Sequence, residues 1–338
     1  MKQEKTAVLL INVGSPDSPT VPAVRRYLTE FLNDKRVIDL PFLLRKFLVN
    51  LIIIPFRVKK STQLYLQVWT KKGSPLIYLT KELQEKLQNK LAASADVFIG
   101  MRYGNPSYKK ALAEIKQKGY SKIVLVPLFP QHAMSTTETA LVAAENQIKK
   151  LGIEAEILSV GQFYDHPKFI EAFAEQAKKY DVADFDHVVF SYHGLPNRQI
   201  EKCHPEIKVD ACSCTKSLPE HGKYCYRATC YETTRLIAKH LELNPADYTV
   251  AFQSRLSNNW LTPFTDAVLN EKLIEGKKKI LVLAPAFVTD CLETILEIGV
   301  EYAEDFEHKG GRLQLVDSLN AEEKWVEALA EIINQKLN

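Results

Sequence analysis

Residues 187–196 read HVVFSYHGLP. The run His187–Ser191 is continuous rather than alternating, as in a strand covered on both faces. Tyr192-His193-Gly194-Leu195-Pro196 then places an imidazole just past the strand, before a Gly-x-Pro turn. Other short β-rich runs, most of them also continuous, precede it at Ala7–Val13, Val97–Met101, Ile123–Pro127 and Ala155–Val160. Others follow at Tyr248–Phe252, Ile280–Ala284 and Arg312–Val316. Amphipathic stretches lie between them, among them Lys81–Leu91, Tyr108–Lys118, Ala140–Lys150 and Pro167–Lys179. This alternation predicts an α/β protein built of two similar doubly wound domains, each with a parallel four-stranded sheet. The expected domains are 1–180 and 181–338, with the break near Tyr180–Asp186 and the last helix, Ala321–Leu337, packing back.

The chain has 338 residues, 46% hydrophobic and 25% charged, which excludes a disordered or collagen-like protein. Its 44 basic and 41 acidic residues leave a formal charge of +3, so no global field attracts nucleic acid. The opening Met1–Lys5 runs straight into a strand, and no secretory signal is expected. The longest apolar stretch, Phe47–Phe56 (FLVNLIIIPF), is interrupted by Asn50 and Pro55 and falls short of the ~20 residues a membrane span needs. Arg45, Lys46, Arg57, Lys59 and Lys60 flank it, a mix suited to a bilayer surface.

In doubly wound sheets ligands sit beyond the carboxyl ends of the strands. Asn12 and Val13 are therefore expected to line a pocket, with Gly14 and Pro16 as turn residues. Arg102 and Tyr103 follow the second strand, and Arg102 reads equally as a carboxylate-binding group or as half of a structural ion pair. His132 reads as a wall residue. His193 is the candidate proton carrier, because imidazole titrates near neutral pH. Glu293, Glu297 and Glu301 recur at i, i+4 and i+8 and share one helical face. On a surface that is a solvated stripe; turned inward, it calls for a cation or protons to offset the repulsion.

About 35 residues separate Ser191 from the next helix, Tyr231–Leu241, longer than an ordinary connection. This insertion, 200–230, holds Cys203, Cys212, Cys214, Cys225 and Cys230, five of the six cysteines. It lacks paired CxxC knuckles, yet four thiolates would suit an iron–sulfur cluster or zinc, with one thiol spare. Free surface thiols are the plain alternative. Cys291 is expected beside Glu293.

Taken in order, several motifs resemble the ferrochelatases. They are LLINVGSP (Leu9–Pro16), RRYLTEFLNDKRVIDLP (Arg25–Pro41), IIIPFRVKKSTQLYLQVW (Ile52–Trp69), GSPL (Gly73–Leu76), MRYGNPS (Met101–Ser107), VPLFPQ (Val126–Gln131), SYHGLP (Ser191–Pro196), FQSRLSNNWLTP (Phe252–Pro263) and FVTDCLETILEI (Phe287–Ile298). The resemblance covers nearly the whole chain. It implies two Rossmann-like, chelatase-type domains around a porphyrin cleft, and insertion of Fe2+ into protoporphyrin IX, the last step of haem synthesis. By the same resemblance His193 and Glu293 are catalytic, and His193, Glu293, Glu297 and Glu301 are metal-binding. Asn12, Val13, Arg57, Lys60, Arg102, Tyr103 and Trp260 are porphyrin-binding.

The lip near 42–60 is implied to cover the porphyrin and to touch the membrane. The expected location is cytoplasmic, or peripheral on the inner face of the cytoplasmic membrane; a homodimer is also compatible. The cysteine insertion resembles that of bacterial relatives proposed to hold a [2Fe–2S] cluster, with Cys203, Cys212, Cys214 and Cys225 as ligands and Cys230 as the alternate. Ser257 stands where many relatives carry Gly, and Val13 occupies a variable pocket position. Competing readings are a tetrapyrrole carrier or metal sensor, and a cobalt or nickel chelatase acting on another tetrapyrrole. A periplasmic binding protein would need the signal that Met1–Lys5 does not suggest.

Overall fold

The computed structural model describes residues 6–204 and 206–337; the expectation placed on Met1–Lys5 lies outside the described residues. Its regular elements run β1 (Thr6–Ser15), α1 (Val21–Leu32), α2 (Phe42–Phe47), α3 (Ile54–Val68), α4 (Pro75–Leu91), β2 (Asp96–Gly104), α5 (Tyr108–Lys118), β3 (Lys122–Pro127), α6 (Thr139–Leu151) and β4 (Glu156–Ser159). They continue with α7 (Pro167–Lys178), β5 (His187–His193), α8 (Asn197–Glu201), α9 (Tyr226–His240), β6 (Tyr248–Gln253), α10 (Thr265–Ile274), β7 (Lys279–Leu283), α11 (Ala303–His308), β8 (Arg312–Leu315) and α12 (Glu323–Leu337). All eight expected strands are present. They form two four-stranded sheets, ordered β2-β1-β3-β4 and β6-β5-β7-β8, and every pairing is parallel. In each sheet the first strand in sequence lies inside, between the second and the third.

The chain divides into two compact units, one of Met1–Phe129, Met134–Gly161 and Ala321–Asn338, the other of Pro130–Ala133 and Gln162–Asn320. This differs from a division at 180. Helix α7 belongs with the second sheet, where Phe169 and Phe173 are fully buried and α9 packs against it. Helix α12 belongs with the first unit, where it packs on α4. The expected boundary followed the strand rhythm, which does not reveal where a helix between strands finds its apolar partner.

In the first unit, α5 and α6 cover one face of the sheet with a core that includes Leu112, Ile115, Ala144 and Ile148. A second cluster joins α1 to the lip through Val24, Tyr27, Leu28, Val49, Ile54 and Val58, and Tyr103 belongs to it. The lip is helical throughout: α2, a π-helical turn over Leu48–Ile53, then α3. Pro55 has no N–H and its ring crowds the carbonyl four residues back, so a widened turn before it relieves the clash. Among the described residues no helix is long and apolar enough to cross a membrane.

The second unit packs α10, α11 and a π-helical segment, Glu293–Tyr302, on its sheet through Val268, Leu269, Ile298 and Phe306. Gly14 is not a turn residue but part of β1, with φ of +107°. A Cβ there would lie 1.8 Å from the Tyr103 carbonyl, so only glycine allows β1 and β2 to approach this closely.

Candidate active site

His193 is the last residue of β5 and is half-buried. Its Nδ1 lies 2.7 Å from the Gly194 carbonyl. A carbonyl only accepts, so the neutral ring carries its proton on Nδ1 and leaves the Nε2 lone pair free. The Tyr226 hydroxyl, at the start of α9, donates to the His193 carbonyl at 2.9 Å. The rings of Trp260 and Phe287 stand 6.4 Å from the imidazole on centroids. Gly194 turns the chain by donating to the Gln253 carbonyl at 2.8 Å, an approach that a Cβ at 2.7 Å from that oxygen would block.

The strand register sets Gln253 opposite His193. Ser191 donates to Gln253 Oε1 at 2.6 Å and shares a second hydrogen bond with Thr265 at 2.8 Å. The Gln253 amide nitrogen reaches the Glu293 carbonyl at 3.5 Å. A buried polar chain thus runs from the strand carrying His193 to the first residue of the segment carrying the acids. Within that segment each turn takes an extra residue, and Glu293, Glu297 and Glu301 stay on one side of the helix.

The three acids differ in surroundings. Cys291, as expected, packs beside Glu293; burial first, and then that carboxylate, push its thiol up. Glu297 accepts from the Ser254 N–H at 2.8 Å, from the Ser254 hydroxyl and from the Tyr302 hydroxyl at 3.0 Å. Burial and the same carboxylate keep the Tyr302 phenol protonated far above its ordinary range. Glu301 is exposed. The row therefore passes from solvent, through a fixed carboxylate, to a half-buried one.

The site candidates of the first unit are more tightly held than expected. Arg102 pairs with Asp34, donates to the Thr139 hydroxyl at 3.0 Å, and lies 4.4 Å from the centre of the Tyr103 ring. Tyr103 is 1% exposed and donates to Asp34 at 3.0 Å. Asn12 is buried; its amide donates to Thr80 at 3.2 Å and its carbonyl accepts from the Val13 N–H at 2.8 Å. Val13 packs on the cluster around Tyr103. Arg57 and Lys60 are exposed on α3.

The family model named ferrochelatase matches residues 5–337. The chain belongs to the ferrochelatase family. It is 41% identical to the ferrochelatase of Coxiella burnetii (strain Dugway 5J108-111), with 98% of this chain and 94% of that protein covered. It is also 41% identical to that of Legionella pneumophila (strain Paris), over 98% and 100%. Among solved structures it resembles the Bacillus subtilis chelatase SirB with Fe3+, at a TM-score of 0.53 and 13% identity over 98% of this chain and 95% of that one. That likeness concerns the fold alone. Family membership makes the chain an enzyme that inserts ferrous iron into protoporphyrin, the closing step of haem synthesis, and the carrier and sensor readings fall away.

The cysteine loop pairs thiols with imidazoles. Cys225 Sγ lies 3.3 Å from His204 Nε2, and Cys212 Sγ lies 3.4 Å from His221 Nε2, with the two rings 5.2 Å apart. Burial pushes Cys214 up to about 12 and Cys225 up to about 11, so both are thiols at neutral pH. Cys230 lies inside α9, fully buried and hydrogen-bonded to Tyr226. The thiols suit a soft metal group in number and chemistry. As placed, they pair off, and among the described residues no three His, Cys, Asp or Glu side chains gather to hold a metal ion.

Sequence reading gave no role to Gln253, Ser254, Tyr226, Tyr302 or Asp34. Tyr302 lies five residues after Glu297, an offset that meets across a π turn and not an α turn. Asp34 is the hub of the Arg102 network, and its acidity is a test of it. Burial raises its pKa, but the Thr139 hydroxyl, the Arg36 N–H and the Arg102 guanidinium together hold it below the ordinary carboxylate value. Its folded-state pKa is depressed, so its contribution is present above about pH 4 and is lost as the pH falls through the folded pKa. We expect acid titration of the wild type to show this loss and Asp34→Asn to flatten that limb of the stability profile. An unchanged limb in the variant would contradict the network's role.

Proposed function

We propose that His193 and Glu293 divide the two tasks of porphyrin metallation, deprotonating the pyrroles and binding the incoming cation. Two N–H protons must leave the macrocycle and a hydrated Fe2+ must shed water. The observation that carries the reading is the free Nε2 lone pair of His193, fixed by its Nδ1 contact with Gly194 on the strand that Gln253 ties to Glu293. A neutral imidazole accepts a proton, and a carboxylate compensates the imidazolium or ligates the metal. Glu301 and Glu297 lead toward Glu293 and attract the cation, with Glu297 held in a fixed orientation by Ser254 and Tyr302. Trp260, beside the imidazole, would supply a face for the macrocycle.

In the first unit we assign Arg57 and Lys60 to the porphyrin carboxylates, since both are exposed cations on the lip. Arg102, Tyr103, Asn12 and Val13 would act from behind, by holding the wall in shape. The lip itself exposes large apolar side chains, Leu43 at 79% and Phe56 at 83% among them, which supports contact with a membrane that dissolves the substrate. The buried, unbridged thiols of Cys212, Cys214, Cys225, Cys230 and Cys291 fit a reducing cytoplasm, with the enzyme resting on the inner face of the membrane. The same apolar face offers a second copy of the chain a place to pair.

The central test is anaerobic Fe2+ insertion into protoporphyrin IX, followed by loss of porphyrin fluorescence. We expect His193→Ala to bind porphyrin as the wild type does while its insertion rate falls by about 10²–10⁴, the usual worth of a positioned proton acceptor. Binding by both proteins with no insertion by either would overturn the chelatase reading.

We also assign Cys203, Cys212, Cys214 and Cys225 as the thiolates for a [2Fe–2S] cluster. Their shared place in the loop ahead of α9, where Cys212 and Cys225 each lie beside an imidazole, supports this set. The full burial of Cys230 inside α9, beside Tyr226, favours leaving it out. Such a cluster would supply a redox-active group and a loop staple. Anaerobic reconstitution with iron and sulfide should give visible absorbance in the wild type and in Cys230→Ser, and none in Cys214→Ser. Loss only in Cys230→Ser would refute the assignment.

A further inference from the structure

The first unit contains a cavity of about 680 Å³ between α1, α2 and α6. Its walls are unusually basic. Lys35 and Arg36 follow α1, Arg45 and Lys46 come from α2, and Lys150 ends the α6 face that also carries Asn146. Two acids, Glu30 and Asp34, also line it. Asp34 is already committed to Arg102, Thr139 and Tyr103, and Arg36 is paired with Glu138 at 2.7 Å. Lys35, Arg45, Lys46 and Lys150 are in no ion pair among the described residues.

Arg45 is the telling member. It is only 7% exposed, yet its guanidinium meets no carboxylate. It donates to the Asn33 carbonyl at 3.0 Å and the Leu40 carbonyl at 2.7 Å, and packs over the Phe42 ring at 5.9 Å. A charge withdrawn this far from water is costly unless a counter-charge meets it. A guanidinium with further N–H donors is also the group best shaped for phosphate. Two carbonyls orient it without neutralising it.

The same short helix states where such an anion would come from. Phe42, Leu43, Leu44 and Phe47 are all more than half exposed on α2, beside Arg45 and Lys46. Apolar side chains seated in a bilayer surface would bring the cavity mouth to headgroup level. From these observations we infer that the cavity is a seat for the phosphate of an anionic phospholipid headgroup. Arg45 forms its floor, and Lys35, Lys46 and Lys150 form its rim. The inference rests on the proposed lip–membrane contact and makes it selective. The lip supplies apolar depth, and the cavity supplies preference for net-negative lipid.

The test is flotation of the full chain with vesicles of phosphatidylcholine alone and of phosphatidylcholine mixed with phosphatidylglycerol. Lys35 and Lys150 are exposed and hold nothing in place, so Lys35→Gln/Lys150→Gln should fold, as circular dichroism would verify. We expect the wild type to prefer the phosphatidylglycerol vesicles. The double variant should lose about 30-fold of that affinity, at roughly 1 kcal/mol for each lysine, and keep its binding to neutral vesicles. Glycerol 3-phosphate, added as a soluble arm, should neither stabilise the wild type thermally at low concentration nor abolish vesicle binding.

Equal binding of the wild type to both vesicles would leave the lip contact standing and remove the cavity proposal. An undiminished phosphatidylglycerol preference in the double variant would do the same. Tight thermal stabilisation by glycerol 3-phosphate without any vesicle preference would assign the cavity to a soluble phosphate ester and overturn the lipid source. Failure to float with either vesicle would overturn the membrane contact as well.

Discussion

The arrangement of the second unit depends on one buried side chain, Gln253. Its backbone stands opposite His193 in the parallel ladder, its carbonyl oxygen takes the Ser191 hydroxyl, and its amide nitrogen reaches back to Glu293. An amide can do this because it accepts at one end and donates at the other. Parallel strands end together at their carboxyl edge, so pairing β5 with β6 brings the imidazole and the amide to the same level. The acids begin where that amide points. A carboxylate here would repel Glu293, and an apolar residue would leave Ser191 and the Glu293 carbonyl one partner short.

Around this point the polar groups are arranged by what each has to do. Glu297 is immobilised by three donors, whereas Glu301 is left to solvent. The first unit works differently. Its Arg102–Asp34–Tyr103 network is closed on itself, and its open cations lie on α2, α3 and the ends of α1 and α6.

Much of this was legible in the sequence. Eight short β-rich runs, most of them continuous, matched eight strands, because the inner strands are buried on both faces; the edge strands β4 and β8 are only partly buried. His193 stands out in the sequence by its place at a strand end, where β5 does end, and the Glu293–Glu297–Glu301 row by its spacing. The π winding of Glu293–Tyr302 was not visible, since an i, i+4 row suits α and π turns alike. Tyr302 was missed for that reason. Tyr103 and Asn12 were expected at a pocket surface, yet both are buried and hydrogen-bonded, because a strand end locates a residue without fixing the direction of its side chain. Helix α9 begins at Tyr226, five residues ahead of the expected start, and so takes in Cys230. The Cys-rich stretch ahead of it masked the onset of helical periodicity. Helix α7 joins a unit that strand counting did not choose, whereas α12 packs back on the first unit as expected.

The most direct measurement is the rate of Fe2+ insertion by Gln253→Met at saturating porphyrin and metal, with KM taken separately for each substrate. Methionine keeps the bulk and removes both polar ends. If Gln253 positions Glu293 against His193, kcat falls about tenfold or more, the worth of roughly 1.4 kcal/mol of lost orientation, while the porphyrin KM stays at the wild-type value. A variant with wild-type kcat would contradict the account, since the His193–Glu293 placement would then not depend on the amide that links them.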